Sequence, residues 1–204
     1  MKYKLLSLLL LISTLKTNAI SDTLFVYFLY GSKPKEEFKQ TESKWFGGLH
    51  GGHVGIGTSK EKIYHFLPQN HFHIIKHHNP RNSKFIYSSA DNFTQVFGKI
   101  DSPKMMIIAI PISKEVKLKI DSLHIQYQDS TPYDYAFIGM RCAAASYDVL
   151  AHAGIVKRKK LSSTVIKNFY PKPLRNNLRK KAKKKKWSCI LSTDESKKRT
   201  WEKD

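Results

Sequence analysis

Acidic residues are scarce in this chain: 16 Asp and Glu stand against 36 Lys and Arg, a formal charge of +20. Cysteine is scarcer still, with only Cys142 and Cys189, so at most one disulfide can form. Long apolar runs are missing apart from Leu5–Ile12, which is shorter than the roughly 20 residues that a membrane-spanning helix needs. No cysteine follows that run, which argues against a lipoprotein anchor. There is no internal repeat, and no aromatic-interleaved basic motif of the kind that binds nucleic acid.

What is present begins with an N-terminal order of basic, apolar and small residues: Lys2 and Lys4, the leucine run, then Thr17, Asn18 and Ala19. This order predicts a secretory signal peptide over residues 1–19 and a mature chain starting near Ile20, periplasmic or secreted. With 41% hydrophobic residues, the remainder is expected to fold as one globular domain. The formal +20 less Lys2, Lys4 and Lys16 is +17, and Ile155–Trp187 alone holds fourteen Lys and Arg and no acid. The charge is a patch, suited to an anionic surface or acidic polymer, with Lys180, Lys181, Lys183 and Lys184 as its anion-binding centre. Export disfavours nucleic acid as the partner.

Along the chain, the aromatic and β-branched run Thr23–Tyr30 predicts a buried strand, and the polar Gly31–Lys44 a surface loop. His50–Gly57 reads as a strand whose glycines allow close backbone approach, joined by the turn Thr58–Lys62 to a returning strand, Ile63–Phe66. Gln69–Ser83 reads as a loop, followed by a short helix from a Ser89 or Asp91 cap through Phe97. Met105–Ile112 is a core strand stopped by Pro111, and Ser113 caps a helix with Val116, Ile120, Leu123 and Tyr127 on one face. A helix rich in small residues opens near Cys142 and closes at Gly154. Ser162–Thr164 and Pro171 begin two more helices, Trp187–Leu191 reads as a closing strand and Arg199–Asp204 as a tail. The expected fold class is α+β, one antiparallel sheet with helices packed on one side.

Two residues carry chemistry. A cysteine attacks well only as a thiolate, and Cys142 stands in the first turn of a helix, where unpaired amides and the helix dipole favour an anion. Arg141 adds positive charge, and the amides of Cys142 and Ala143 are expected to bind the oxyanion formed when a carbonyl is attacked. Tyr135 and Arg141 are placed on the substrate side of the same site. Cys189, in an apolar run, is expected to be a buried structural residue, and a Cys142–Cys189 disulfide that would silence the nucleophile is the alternative. Of nine histidines, His53 is preferred as the base because a glycine-flanked strand holds a side chain better than a loop does, with His50 as its competitor. His65, twelve residues on across the hairpin, is the expected third group that orients the imidazole. His124 and His152 read as ordinary core or surface residues, and His71, His73, His77 and His78 as loop histidines.

His53-Val-Gly-Ile-Gly57, Tyr64-His-Phe66 and a cysteine opening a helix far downstream resemble the circularly permuted branch of the papain-like NlpC superfamily. That branch includes the lecithin:retinol acyltransferase-like proteins and the bacterial permuted amidases. The order here, histidine strand before cysteine helix, is the permuted one. The resemblance spans Thr23–Gly154 and implies Cys142 as nucleophile, His53 as base and His65 as orienting residue. The acyltransferase-like members place asparagine before the cysteine and a glutamate–histidine pair after it. Here the neighbours are Arg141, Ala143 and Ala144, which favours a hydrolase over an acyltransferase.

The expectation is a signal peptide (1–19), a permuted papain-like catalytic core (20–156) and a basic helical C-terminal extension packing on that core (157–204). The activity expected is that of an exported cysteine peptidase or amidase without a cofactor, acting on a peptide or acyl-amide and, by the resemblance, on cell-wall peptides. Acyl or lipid esters come second. The rivals are a non-catalytic protein that binds membrane or acidic polymer through its basic segment, and a metal site built from His71, His73, His77 and His78. The metal site lacks a nearby acidic or cysteine ligand and is not expected.

Overall fold

The computed structural model describes residues 20–42, 52–69, 73–76, 83–96, 102–192 and 196–203. Residues 1–19, His50, His71, His77 and His78 lie outside them. The strands are β1 (Ile20–Tyr30), β2 (Ser32–Pro34), β3 (Gly52–Gly57), β4 (Ile63–Pro68), β5 (His73–Ile75), β6 (Ser83–Ser88), β7 (Met105–Ser113), β8 (Ala136–Ile138), β9 (Ser188–Ser192) and β10 (Arg199–Trp201). The α-helices are α1 (Ala90–Thr94), α2 (Lys114–Asp129), α3 (Cys142–His152), α4 (Leu161–Lys167) and α5 (Pro171–Lys185).

The fold is α+β. Six strands form one antiparallel sheet in the order β6-β4-β3-β1-β7-β9. Alternation along β1 separates two apolar layers. Leu24, Val26 and Phe28 face Ile120 and Tyr127 of α2, the alanines of α3 and Leu174, Leu178 and Ala182 of α5. Tyr27 and Leu29 face the other way, onto Ile63 and Phe93. The three long helices therefore share one face, as expected. The short α1 lies on the other, because Phe93 is the apolar residue that covers it.

The helix boundaries follow their local chemistry. The Ser113 hydroxyl accepts a hydrogen bond from the Val116 amide at 3.4 Å, and the Ser89 hydroxyl one from Asn92 at 3.2 Å, as N-caps do. Helix α3 ends at Gly154, whose φ of +76° suits only glycine, while the Ile155 amide returns to Leu150 O at 2.9 Å.

Several segments differ from the sequence expectation. Gly31–Lys44 contains β2 and a 3₁₀ turn, Glu36–Phe38, and the expected tail is β10, which pairs with β2. The cause is Arg199, 2% exposed, whose guanidinium donates to Ser32 Oγ at 2.8 Å and Glu42 at 3.2 Å. A buried charge demands such partners and draws its segment in. Within Gln69–Ser83, β5 pairs in parallel with β8, and β6 was not expected at all. Helix α1 stops at Thr94 rather than Phe97. Strand β7 runs through Pro111, which is tolerated because β9 pairs only as far as Ala109 and leaves that side of β7 open.

The C-terminal segment 157–204 contributes an edge strand to the main sheet and a helix to the main core. Its strand β9 is exposed at every residue. Cys189 is therefore exposed, contrary to the expectation of a buried structural cysteine. At the edge of the sheet, β9 leaves its apolar residues exposed.

Candidate active site

Strand β3 places His53 and Gly55 on the Phe93 face, while Val54 and Ile56 point into the helical core. Strand β4 does the same with His65 against Tyr64 and Phe66. The register sets Gly55 opposite His65, so His53 and His65 are diagonal neighbours on one face. They share a hydrogen bond, His53 Nε2 to His65 Nδ1, at 2.9 Å. His65 Nε2 continues to Ser88 Oγ at 2.7 Å. The structure thus brings His53 and His65 together across the hairpin, and Ser88 on β6 extends the chain with a residue that sequence reasoning missed.

Phe93 closes this side. Its ring lies 5.5 Å from that of His53 and 5.3 Å from that of His65. Gly55 makes room for it: a Cβ there would stand 2.8 Å from the Phe93 ring and 2.4 Å from Ile63. The glycine is a packing requirement of the histidine pair.

Cys142 is the first residue of α3, and Arg141 is its N-cap without a side-chain capping bond. The β3–β4 ladder is confined to Gly55↔His65 and Ile56↔Tyr64. Beyond it the Val54 amide is directed to the Cys142 sulfur, together with the amides of Ala143 and of Cys142 itself. The thiol is therefore held against the residue that follows His53. Tyr135 completes the site: its hydroxyl accepts hydrogen bonds from the Cys142 amide and the Arg141 side chain, and its ring packs on Phe66 at 5.1 Å. Arg141 is itself enclosed, with its guanidinium 4.6 Å from the Phe169 ring, 5.3 Å from Tyr170 and 5.5 Å from Phe137.

Electrostatically the site is a neutral one. Burial pushes the Cys142 thiol above its ordinary value, against the downward pull of Arg141 and the three amides. The lowered thiol pKa expected from the helix terminus is therefore not realised, since desolvation outweighs it. Burial holds His53 well below the usual imidazole range, with His65 adding to the shift, and burial lowers His65 to about 4. Thiol and imidazoles are all uncharged near pH 7. Tyr135 is pushed upward, chiefly by burial, and stays a phenol.

The remaining sites sort plainly. Cys142 is buried and Cys189 exposed, and no disulfide joins them. His124 is buried and stacked on Tyr64 at 3.7 Å, and His152 bonds to Asp148 O at 3.0 Å on the surface of α3. His73 bonds to Asp134 at 2.7 Å. Among the described residues no group of three His, Cys, Asp or Glu is placed to hold a metal, and no helix is long and apolar enough to cross a membrane. Of the basic patch, Lys180, Lys183 and Lys184 are exposed. Lys181 instead donates to Ile155 O at 2.9 Å and ties α5 to the end of α3.

No family model, curated protein or solved structure matches the chain.

Proposed function

We propose that the protein is an exported cysteine hydrolase that cleaves an amide, built on a permuted papain-like, NlpC-type core. The observation that carries this reading is the chain His53–His65–Ser88, with the Cys142 sulfur facing the amide of Val54, the residue that follows His53. A thiol supplied with a base and a base supplied with an orienting partner is the arrangement that nucleophilic acyl transfer needs.

The chain of hydrogen bonds sets the proton positions. With His65 Nε2–H donating to Ser88 Oγ, His65 Nδ1 accepts from His53 Nε2–H, and His53 Nδ1 is the basic nitrogen. Because thiol and imidazole rest neutral, the Sγ proton passes to Nδ1 as sulfur bonds to the carbonyl carbon. The amides of Cys142 and Ala143 and the Tyr135 hydroxyl are the donors assigned to the resulting oxyanion. His53 then returns the proton to the departing amine as the C–N bond breaks, leaving a thioester. Water, deprotonated by His53, releases the acid and restores the thiol. The Arg141 cage holds the N-terminus of α3 on the substrate side. Export and the NlpC resemblance make cell-wall peptides the first substrates to try, with acyl or lipid esters second.

The test is to incubate the mature protein with cell-wall peptide fragments and follow amide cleavage by mass spectrometry. Cleavage that disappears in Cys142→Ala and His53→Ala is the expected result. Cleavage that survives Cys142→Ala, or inertness toward both amides and esters, would remove the reading.

A further inference from the structure

The strongly exposed aliphatic residues of one region are gathered rather than scattered. Ile74 and Ile75 of β5, Ile138 of β8, and Leu161 and Ile166 of α4 are 46% to 76% exposed. Ile75 is paired with Ile138 across the two strands. Ile138, Leu161 and Ile166 line one open cleft of about 500 Å³, floored by Tyr133 and Met140 and bordered by Lys76. One exposed isoleucine is ordinary, but Ile138, Leu161 and Ile166 around one cleft, with Ile75 paired to Ile138, form a patch of the kind that marks an interaction surface. The rim is basic: Lys76, Lys160 and Lys167 are all exposed, each beside one of these aliphatic residues in sequence. The acid in the cleft, Asp134, is buried and bonded to His73.

We propose that this patch is a docking surface for an anionic lipid bilayer. Its aliphatic side chains enter the headgroup layer while Lys76, Lys160 and Lys167 meet lipid phosphates. Buried apolar area and attraction to anionic headgroups together set such binding. Charge decides against the other occupants. A second copy of the chain would set lysine against lysine, and a soluble acidic polymer has no use for the aliphatic residues. Docking would bring Met140, two residues before Cys142, to the bilayer surface. The inference stands without the hydrolase reading.

The test is sedimentation of the full mature chain with vesicles of phosphatidylcholine, with and without phosphatidylglycerol. Binding to the anionic vesicles should exceed that to phosphatidylcholine by at least about tenfold and fall as salt rises. The double variant Ile138→Asp with Ile166→Asp should lose at least about tenfold of it. Both positions are exposed, so an unchanged thermal melt shows that the variant is folded. Lys180→Ala with Lys184→Ala, on α5, should retain binding. No binding to anionic vesicles, equal binding to both vesicles, or loss only in the α5 variant would overturn the proposal. So would a dimer that the aspartates dissociate.

Discussion

Acid is expected to unfold this protein through its buried histidines, and the size of the effect can be worked out. His65 and His124 are 1% and 2% exposed, and burial lowers each from the ordinary 6.5 to about 4. In the unfolded chain both return to about 6.5. Between those two values the unfolded chain binds more protons than the folded one, so stability falls as pH falls. The contribution is complete above pH 6.5 and gone below about 4. The fall from 6.5 to about 4 is worth about 3 kcal/mol per histidine. Two such residues approach the whole stability of an ordinary domain, about 5–15 kcal/mol. His53, lowered by the same cause, acts in the same direction. The discriminating variant is His124→Phe. It preserves the ring stacked on Tyr64 and removes Nε2, which is buried without a hydrogen-bond partner. Urea denaturation at pH 7, 6 and 5 is the assay. The variant should match or exceed the parent at pH 7 and surpass it by about 2 kcal/mol more at pH 5. Identical pH slopes for the two proteins would refute burial as the cause.

Gly55→Ala should cost about 1–3 kcal/mol and displace Phe93 from the histidine pair, which a lowered melting temperature and lost activity would register together. Ser88→Ala leaves His65 without its outer partner. It should lower kcat by about tenfold with little change in KM, as expected of a residue that orients rather than binds. The exposed Cys189 should be alkylated by iodoacetamide, which needs a preformed thiolate and no base assistance, before the buried and neutral Cys142, and Cys189→Ser should leave activity unchanged. Alkylation of Cys142 first would contradict the raised thiol pKa that burial gives it.

The parts legible in the sequence were those with local causes. Alternation and the twelve-residue spacing placed His53 and His65 on one face, and small residues after Cys142 marked a helix that packs closely. Ser113 and Gly154 marked helix ends through caps that need only nearby atoms. What was not legible depended on distant neighbours. Cys189 sits in a run as apolar as a core strand, and only its place at the sheet edge exposes it. Arg199 looked like part of a tail because its partners, Ser32 and Glu42, lie far back in the chain. Ser88 and Phe93 enter the site only once β6 and α1 fold over β4. The sign of the Cys142 shift was missed for the same reason. A helix N-terminus and Arg141 are visible in sequence, but the desolvation that outweighs them is a property of the assembled core.

The central claim is that Cys142 is a nucleophile activated by His53. The most direct measurement is acylation by p-nitrophenyl acetate near pH 7, with the modified residue located by peptide mass spectrometry. The account predicts a burst of nitrophenol with acetyl on Cys142 and not on the more exposed Cys189. It further predicts a rate at least about 100-fold lower in His53→Ala, as loss of a general base would give. Acetyl on Cys189, or a Cys142 rate indifferent to His53, would contradict it.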